Sequence, residues 1–170
     1  MDCRSDLTLT DLRPPEPSIR PVQWADIPRL AEMIAALAAH HGDTPALDRA
    51  TLRRDVLGDA PWITVLVAES DGALVGYAAL LPLAQLQAGA RGMDLHHLYV
   101  ESGWRGRGLG RRLIEAAKAQ AAGRGCGYLT VGTDPANHAA QAVYPCCGFE
   151  VQASPGPRFR MSLKPETAVA

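Results

Sequence analysis

LHHLYVESGWRGRGLGRRLIE, residues 95–115, decides how this chain is read. Leu95, Leu98, Tyr99 and Val100 have the apolar, β-prone character of a strand, and Glu101, Ser102 and Gly103 make a polar turn. Arg105, Gly106, Arg107, Gly108, Leu109 and Gly110 then form a glycine-punctuated loop that leads into a helix. Glycines let a backbone approach a ligand without interference from Cβ, and a helix start offers N–H groups that lack an intrahelical partner. A loop and helix in this order make an anion cradle. Two familiar phosphate patterns do not fit. A P-loop requires Gly-Lys-Ser/Thr, whereas Arg111 and Arg112 follow Gly110, and the dinucleotide fingerprint G-x-G-x-x-G fails on the spacing of Gly106, Gly108 and Gly110.

Outward from this stretch, the pattern alternates between helical and β periods. Downstream, residues 108–122 form an amphipathic helix with Leu109, Leu113, Ile114, Ala117 and Ala121 on one side. A strand over 126–131, a short helix over 136–144 and a closing pair of strands over 149–153 and 158–163 follow. Upstream, residues 18–22 read as a strand. A helix begins at Asp26-Ile27-Pro28, carries Leu30, Ile34, Leu37 and Ala38 as its stripe, and ends at His40-His41-Gly42. Asp48 opens a second helix that stops at Gly58. The runs 63–69 and 73–81 form a hairpin about Asp71-Gly72, where positive φ is accepted, and Pro82 ends pairing or marks an edge. Residues 85–92 read as a mobile connection before a central strand over 93–100. The expected organisation is an N-terminal tail over 1–17, one domain over 18–163 and a C-terminal tail over 164–170.

The R-x-x-G-x-G pattern at Arg105 to Gly110 resembles the acyl-coenzyme A loop of the GNAT superfamily of N-acetyltransferases. Asn137, Ala139, Ala140 and Tyr144, followed by Gly148-Phe149, resemble that family's second block, and the layout is similar to spermidine/spermine N-acetyltransferase-like members. The resemblance implies an α/β (α+β) GNAT fold: a mixed, mostly antiparallel sheet flanked by helices and splayed between strands 4 and 5, with the pantetheine arm in the opening. It implies acetyl-CoA (coenzyme A) as co-substrate and no metal. It implies cofactor binding by the backbone of Leu98, Tyr99 and Val100 and by Arg105, Gly106, Arg107, Gly108, Leu109, Gly110, Arg111 and Asn137.

The chemistry of acyl transfer then sets tasks. An amine that is protonated at neutral pH must lose a proton before attack, and the departing thiolate needs a proton or compensating charge. By resemblance Tyr144 is the general acid, although Pro145 directly after it disfavours helical geometry at Tyr144. By resemblance His96 holds the position of the base, and an unperturbed imidazole suits that task. Strand alternation puts His96, Leu98 and Val100 on one face and His97 on the other, unless a bulge exchanges them. His40 and His41 read as helix C-terminal residues meeting the dipole.

Composition narrows the partners. A net charge of −1 and a pI near 6.5 give no global attraction to nucleic acid or to an anionic membrane, although Arg105, Arg107, Arg111 and Arg112 are concentrated in one segment. Cys3, Cys126, Cys146 and Cys147 have no metal-ligand spacing and read as reduced thiols of a cytoplasmic protein. No apolar run reaches the length of a membrane span. The expected acceptor is a small-molecule primary amine, such as a polyamine or amino acid, in a direct ternary complex. The alternatives are a protein N-terminal or lysine acetyltransferase, or a non-catalytic coenzyme A-binding module. A homodimer is left open, as is a covalent route through Cys146 or Cys147.

Overall fold

The computed structural model describes residues 16–152. The chain forms β1 (Ser18–Pro21), α1 (Ile27–His40), α2 (Arg49–Leu57), β2 (Thr64–Ser70), β3 (Ala73–Gln85), β4 (Ala90–Val100), α3 (Leu109–Gly123), β5 (Tyr128–Val131) and α4 (His138–Cys146). The sheet order is β1-β2-β3-β4-β5, antiparallel except for the parallel pair β4–β5. This is the mixed α/β architecture expected from the sequence.

Local chemistry places the elements. Pro28 lies in the first turn of α1, where a missing N–H is tolerated, and the Asp48 side chain accepts from the backbone N–H groups of Ala50 and Thr51 to cap α2. Asp71 and Gly72 both take positive φ, 48° and 76°, and close the β2–β3 hairpin. Two apolar layers sandwich the sheet. Ile27, Leu30, Met33, Leu52 and Val56 of α1 and α2 cover Val65, Val67, Tyr77, Ala79 and Tyr99 on one face. Leu109, Leu113, Ile114, Ala117 and Ala121 of α3 cover Ala78, Leu80, Met93 and Leu95 on the other. Truncating Leu113, which is fully buried, removes about 2–5 kcal/mol of stability, the usual range for such a core leucine.

Several boundaries differ from the sequence reading for physical reasons. β3 does not end at Leu81: it continues through Pro82, which pairs with Met93, to Gln85. Pro82 is an edge position because β2 begins at Thr64, opposite Leu80, so β3 has no β2 neighbour beyond that point. Residues 85–92 are a tight hairpin rather than a long connection, with a 3-10 turn (Leu86–Ala88), Gly89 at φ 58° and β4 starting at Ala90. Residues 149–152 form no strand; the rest of the expected closing pair, the C-terminal tail and most of the N-terminal tail lie outside the described residues.

β5 pairs with β4 only from Gly92 to Leu95. From His96 onward β4 keeps β3 on one side and has no β5 on the other, so the sheet opens. At the first pair the Tyr128 ring lies over Gly92, where a Cβ would come within 2.2 Å of the ring carbons, so glycine makes room for the ring.

Candidate active site

The opening between β4 and β5 widens into a cleft of about 700 Å³, lined by the end of β4, the loop after it, the start of α3 and one side of α4. Its floor is β4 itself. Glu101 donates its backbone N–H to the carbonyl of Val75, and antiparallel pairing alternates, so Tyr99 also turns its backbone groups toward β3. Leu98 and Val100 therefore turn theirs toward the opening. Of the three residues expected to offer backbone, Tyr99 is the one whose backbone is engaged elsewhere. The Val100 carbonyl accepts a hydrogen bond from Arg105 Nε at 2.9 Å, which ties the loop to the strand end.

The loop has the shape of a cradle. Gly106 and Gly108 take φ of 71° and 81°, conformations that L side chains adopt at a cost, and nothing lies within 4 Å of where a Cβ would stand on either. Gly108 is the N-cap of α3, and the first N–H used within this helix belongs to Arg112, which leaves the N–H groups of Leu109, Gly110 and Arg111 for a ligand. The arginines do not all face this point. Arg107 lies over the Trp104 ring at 5.5 Å, and Arg112 turns back to donate to the Pro17 carbonyl at 2.7 Å, so Arg105 and Arg111 are the two that line the cleft.

At the other end of the cleft the strand alternation expected for His96 and His97 fails. Ala79 pairs with His97 but Leu80 pairs with Leu95, so His96 is the extra residue of a β-bulge. The two imidazoles stack, centroids 4.6 Å apart, rather than pointing to opposite faces. His97 belongs to the α1 side of the sheet: Tyr77 Oη lies 3.1 Å from its Nδ1, and Leu98 and Val100 pack with the α3 layer. Burial, with His96 and His41 nearby, pushes the His97 pKa down to about 4. His96 is half exposed, with Nδ1 3.8 Å from Asp94 Oδ2, while Asp94 Oδ1 accepts from Thr130 Oγ1 at 2.8 Å. His40 and His41, at the end of α1, line the same cleft.

α4 forms the remaining wall. Asn137 caps it, its side-chain oxygen accepting from Ala140 N–H at 3.1 Å while the residue lines the cleft. Pro145 does not end the helix at Tyr144; the helix runs to Cys146, because a proline this close to the C-terminus removes a single backbone donor. Tyr144 is half-buried, packs edge-on against Phe149 at 5.7 Å and lines the cleft. Burial, with Cys147 beside it, raises the phenol pKa, so it keeps its proton at neutral pH. Cys126, Cys146 and Cys147 are free thiols, and Cys147 is buried.

The sequence profile of the acetyltransferase (GNAT) family matches residues 27–149. The chain belongs to the GNAT family. It is 36% identical over 126 residues to the N-alpha-acetyltransferase RimI of Mycobacterium tuberculosis, a match that covers 74% of this chain and 73% of that protein. It is 31% identical to an aminoglycoside N(6')-acetyltransferase type 1 of Stenotrophomonas maltophilia, over 64% of this chain and 72% of the relative. Among solved structures, an aminoglycoside acetyltransferase from an uncultured soil metagenomic sample, in complex with trehalose, superposes with a TM-score of 0.71 at 22% identity over 87% of this chain and 97% of that one. The protein is thus an acyltransferase of a family whose co-substrate is acetyl-CoA.

For a GNAT acetyltransferase the cleft has a consistent polarity. Gly106, Gly108 and the free N–H groups of α3 suit a pyrophosphate at one end. The four histidines stand on the opposite, α1 side, and none of the described lining residues is acidic. Asp94 and Glu101 are close by, but the first is held by Thr130 and the second by Arg29. Among the described residues no group of three or more His, Cys, Asp or Glu could hold a metal ion. Tyr77, fully buried under His97, is the site residue that sequence reasoning missed. It sits in an ordinary apolar strand run, and only the cross-strand register of β3 on β4 reveals its partner.

Proposed function

We propose that this protein transfers the acetyl group of acetyl-CoA to the primary amine of a small molecule by direct attack within a ternary complex. The observation that carries this is the shared opening. The free edge of β4 at Leu98 and Val100, the glycine cradle with its unpartnered α3 amides, and the Tyr144 side all border one continuous cleft. When bound, acetyl-CoA supplies an activated acyl group on sulfur. The loop of Arg105, Gly106, Arg107, Gly108, Leu109 and Gly110, with Arg111, would hold its phosphates, and Leu98, Val100 and Asn137 would border the rest.

In this reading Tyr144 is the proton donor to the departing thiolate. A phenol holds its proton at neutral pH, the state a donor requires, and burial raises its pKa further. His96 is the base: it is half exposed at the cleft, and Asp94 lies where it can orient the ring. Cys146 and Cys147 take no covalent part. No helix among the described residues is long and apolar enough to cross a membrane, and a cytoplasmic protein acting on dissolved amines fits this reading. The second reading, acylation of a protein N-terminus, is favoured by the relative named as an N-alpha-acetyltransferase.

The test is free-thiol release from acetyl-CoA across a panel of polyamines, amino acids and peptides, with initial rates taken over both substrates. Intersecting kinetics with a small amine support the proposal. Parallel lines, or an acetylated cysteine trapped by mass spectrometry, refute direct transfer, and turnover with peptides alone favours the second reading.

A further inference from the structure

The pair formed by Tyr77 and His97 constrains what the acceptor end of the cleft can recognise. Tyr77 is fully buried, and among the described residues its hydroxyl has one polar neighbour, His97 Nδ1 at 3.1 Å. A buried phenol proton needs an acceptor, and burial raises this phenol's pKa, so the hydroxyl remains protonated and donates. Nδ1 must then accept, which puts the ring proton on Nε2. With Nδ1 turned to Tyr77, Nε2–H is left for the cleft that His97 lines. A neutral imidazole with a protonated Nε2 is a hydrogen-bond donor and not a base. What it takes is an oxygen.

The surrounding charge agrees. His40, His41 and His96 accompany His97, no described residue lining the cleft is a carboxylate, and the nearby Asp94 and Glu101 are engaged by Thr130 and Arg29. Asp94 keeps its charge beside His96, but no described carboxylate lines the cleft itself, so a substrate with several ammonium groups finds little counter-charge here, whereas an oxygen acceptor finds a donor.

We propose that the acceptor end of the cleft reads an oxygen next to the reactive amine, a carboxylate or an amide carbonyl, through His97 Nε2–H, and that Tyr77 is the positioning residue that fixes this tautomer. This rests on the acetyl-transfer reading of the cleft. The protein is therefore an acetyltransferase for amino-acid-like or peptide-like amines and not for polycations.

The experiment compares four acceptors by thiol release: a free amino acid, the amide-capped dipeptide that begins with it, the decarboxylated amine with the same side chain, and spermidine. Acetyl-CoA binding is measured on the same samples by calorimetry. One or both oxygen-bearing acceptors should exceed the other two by about tenfold or more in kcat/KM, the size of one hydrogen bond to a charged or strongly polar oxygen. Preference for the amino acid assigns a free carboxylate, and preference for the dipeptide assigns a peptide carbonyl. Tyr77→Phe should erase most of this advantage through KM with cofactor affinity unchanged. His97→Gln, which keeps a donor, should retain more of it than His97→Ala. Nitrogen NMR of the labelled wild type should show His97 protonated at Nε2, and Tyr77→Phe should mix the tautomers. Equal or better use of the decarboxylated amine or spermidine overturns the proposal while leaving acetyl transfer intact, and so does an Nδ1-protonated His97. Turnover with no acceptor overturns the transfer reading and this proposal with it.

Discussion

Replacing Gly108 with Asp tests the cradle at its centre. Gly108 takes φ 81°, and a Cβ built there meets nothing within 4 Å, so the new Cβ itself clashes with no described part of the protein. The structural penalty is backbone strain alone, about 1–2 kcal/mol for a non-glycine residue in the left-handed region, with Asp among the residues that tolerate it best. The functional penalty is separate. A carboxylate at about 5 Å from a phosphate charge, with an effective dielectric constant of about 20, adds about 3 kcal/mol of repulsion, or about two decades in Kd. Gly108→Asn has the same shape and strain without the charge and serves as the control. Calorimetric titration with acetyl-CoA should give Asp at least thirtyfold weaker than Asn, with similar thermal midpoints for the two variants. The gap should narrow as salt rises from 0.05 to 0.5 M, roughly as screening requires. Equal affinities for Asp and Asn in folded protein would show that the phosphates do not approach Gly108, and the assignment of the loop would fail.

Tyr144→Phe should lower kcat by about a hundredfold with acetyl-CoA affinity near wild type, in line with loss of a general acid. The pair Cys146→Ser and Cys147→Ala, the latter chosen because Cys147 is buried, should leave initial rates within about threefold, since neither thiol carries the acyl group in this reading. If His96 accepts the proton of the incoming ammonium, the low-pH limb of kcat/KM belongs to it: activity falls as pH drops because a protonated imidazole cannot accept another proton. His96→Gln should then abolish that limb, whereas a limb that persists and tracks the basicity of the acceptor makes His96 structural. Asp26 is held below the ordinary carboxylate range by the Arg20 guanidinium, whose Nη1 donates to it at 2.6 Å. A depressed carboxylate stabilises the fold above its unfolded pKa and loses that contribution as pH falls through the folded pKa. Asp26→Asn should therefore flatten the decline in thermal midpoint at the acid end, measured by circular dichroism, and leave the decline unchanged if the pair is not coupled to folding.

The elements that were legible in the sequence are those whose signals are local. The α3 stripe of Leu109, Leu113, Ile114, Ala117 and Ala121 follows the helical period, and all five residues are buried. Asp71-Gly72 marked its hairpin because positive φ is written in the residue types themselves. The glycine loop before α3 was legible for the same reason. What was not legible depends on partners distant in sequence. Pro82 is compatible with a strand only because β2 stops opposite Leu80, and nothing near residue 82 reports where β2 stops. The reason for a glycine at position 76 is likewise non-local: a Cβ there would lie 2.8 Å from the Tyr99 carbonyl and 3.3 Å from Leu113, so its absence lets α3 and β4 close on that strand.

The histidine pair shows how such a limit reaches the chemistry. Alternation assigns faces correctly for Leu98, Tyr99 and Val100 counted from the end of β4, and for Met93 and Leu95 counted from its start, but the two counts disagree by one. That disagreement is the bulge at His96, and two adjacent residues of the same type hide it, because either register leaves an imidazole on the acceptor side. The consequence is larger than an exchange of faces. With the bulge, both rings stand together and are differentiated by what lies beneath them. His97 rests on the buried Tyr77 hydroxyl and is held neutral, and His96 stays open beside Asp94. In the proposed mechanism one strand thus offers a hydrogen-bond donor and a proton acceptor within a stacking distance of each other. A single inserted residue produces that division of labour, since without it one imidazole would point into the α3 layer and could do neither task.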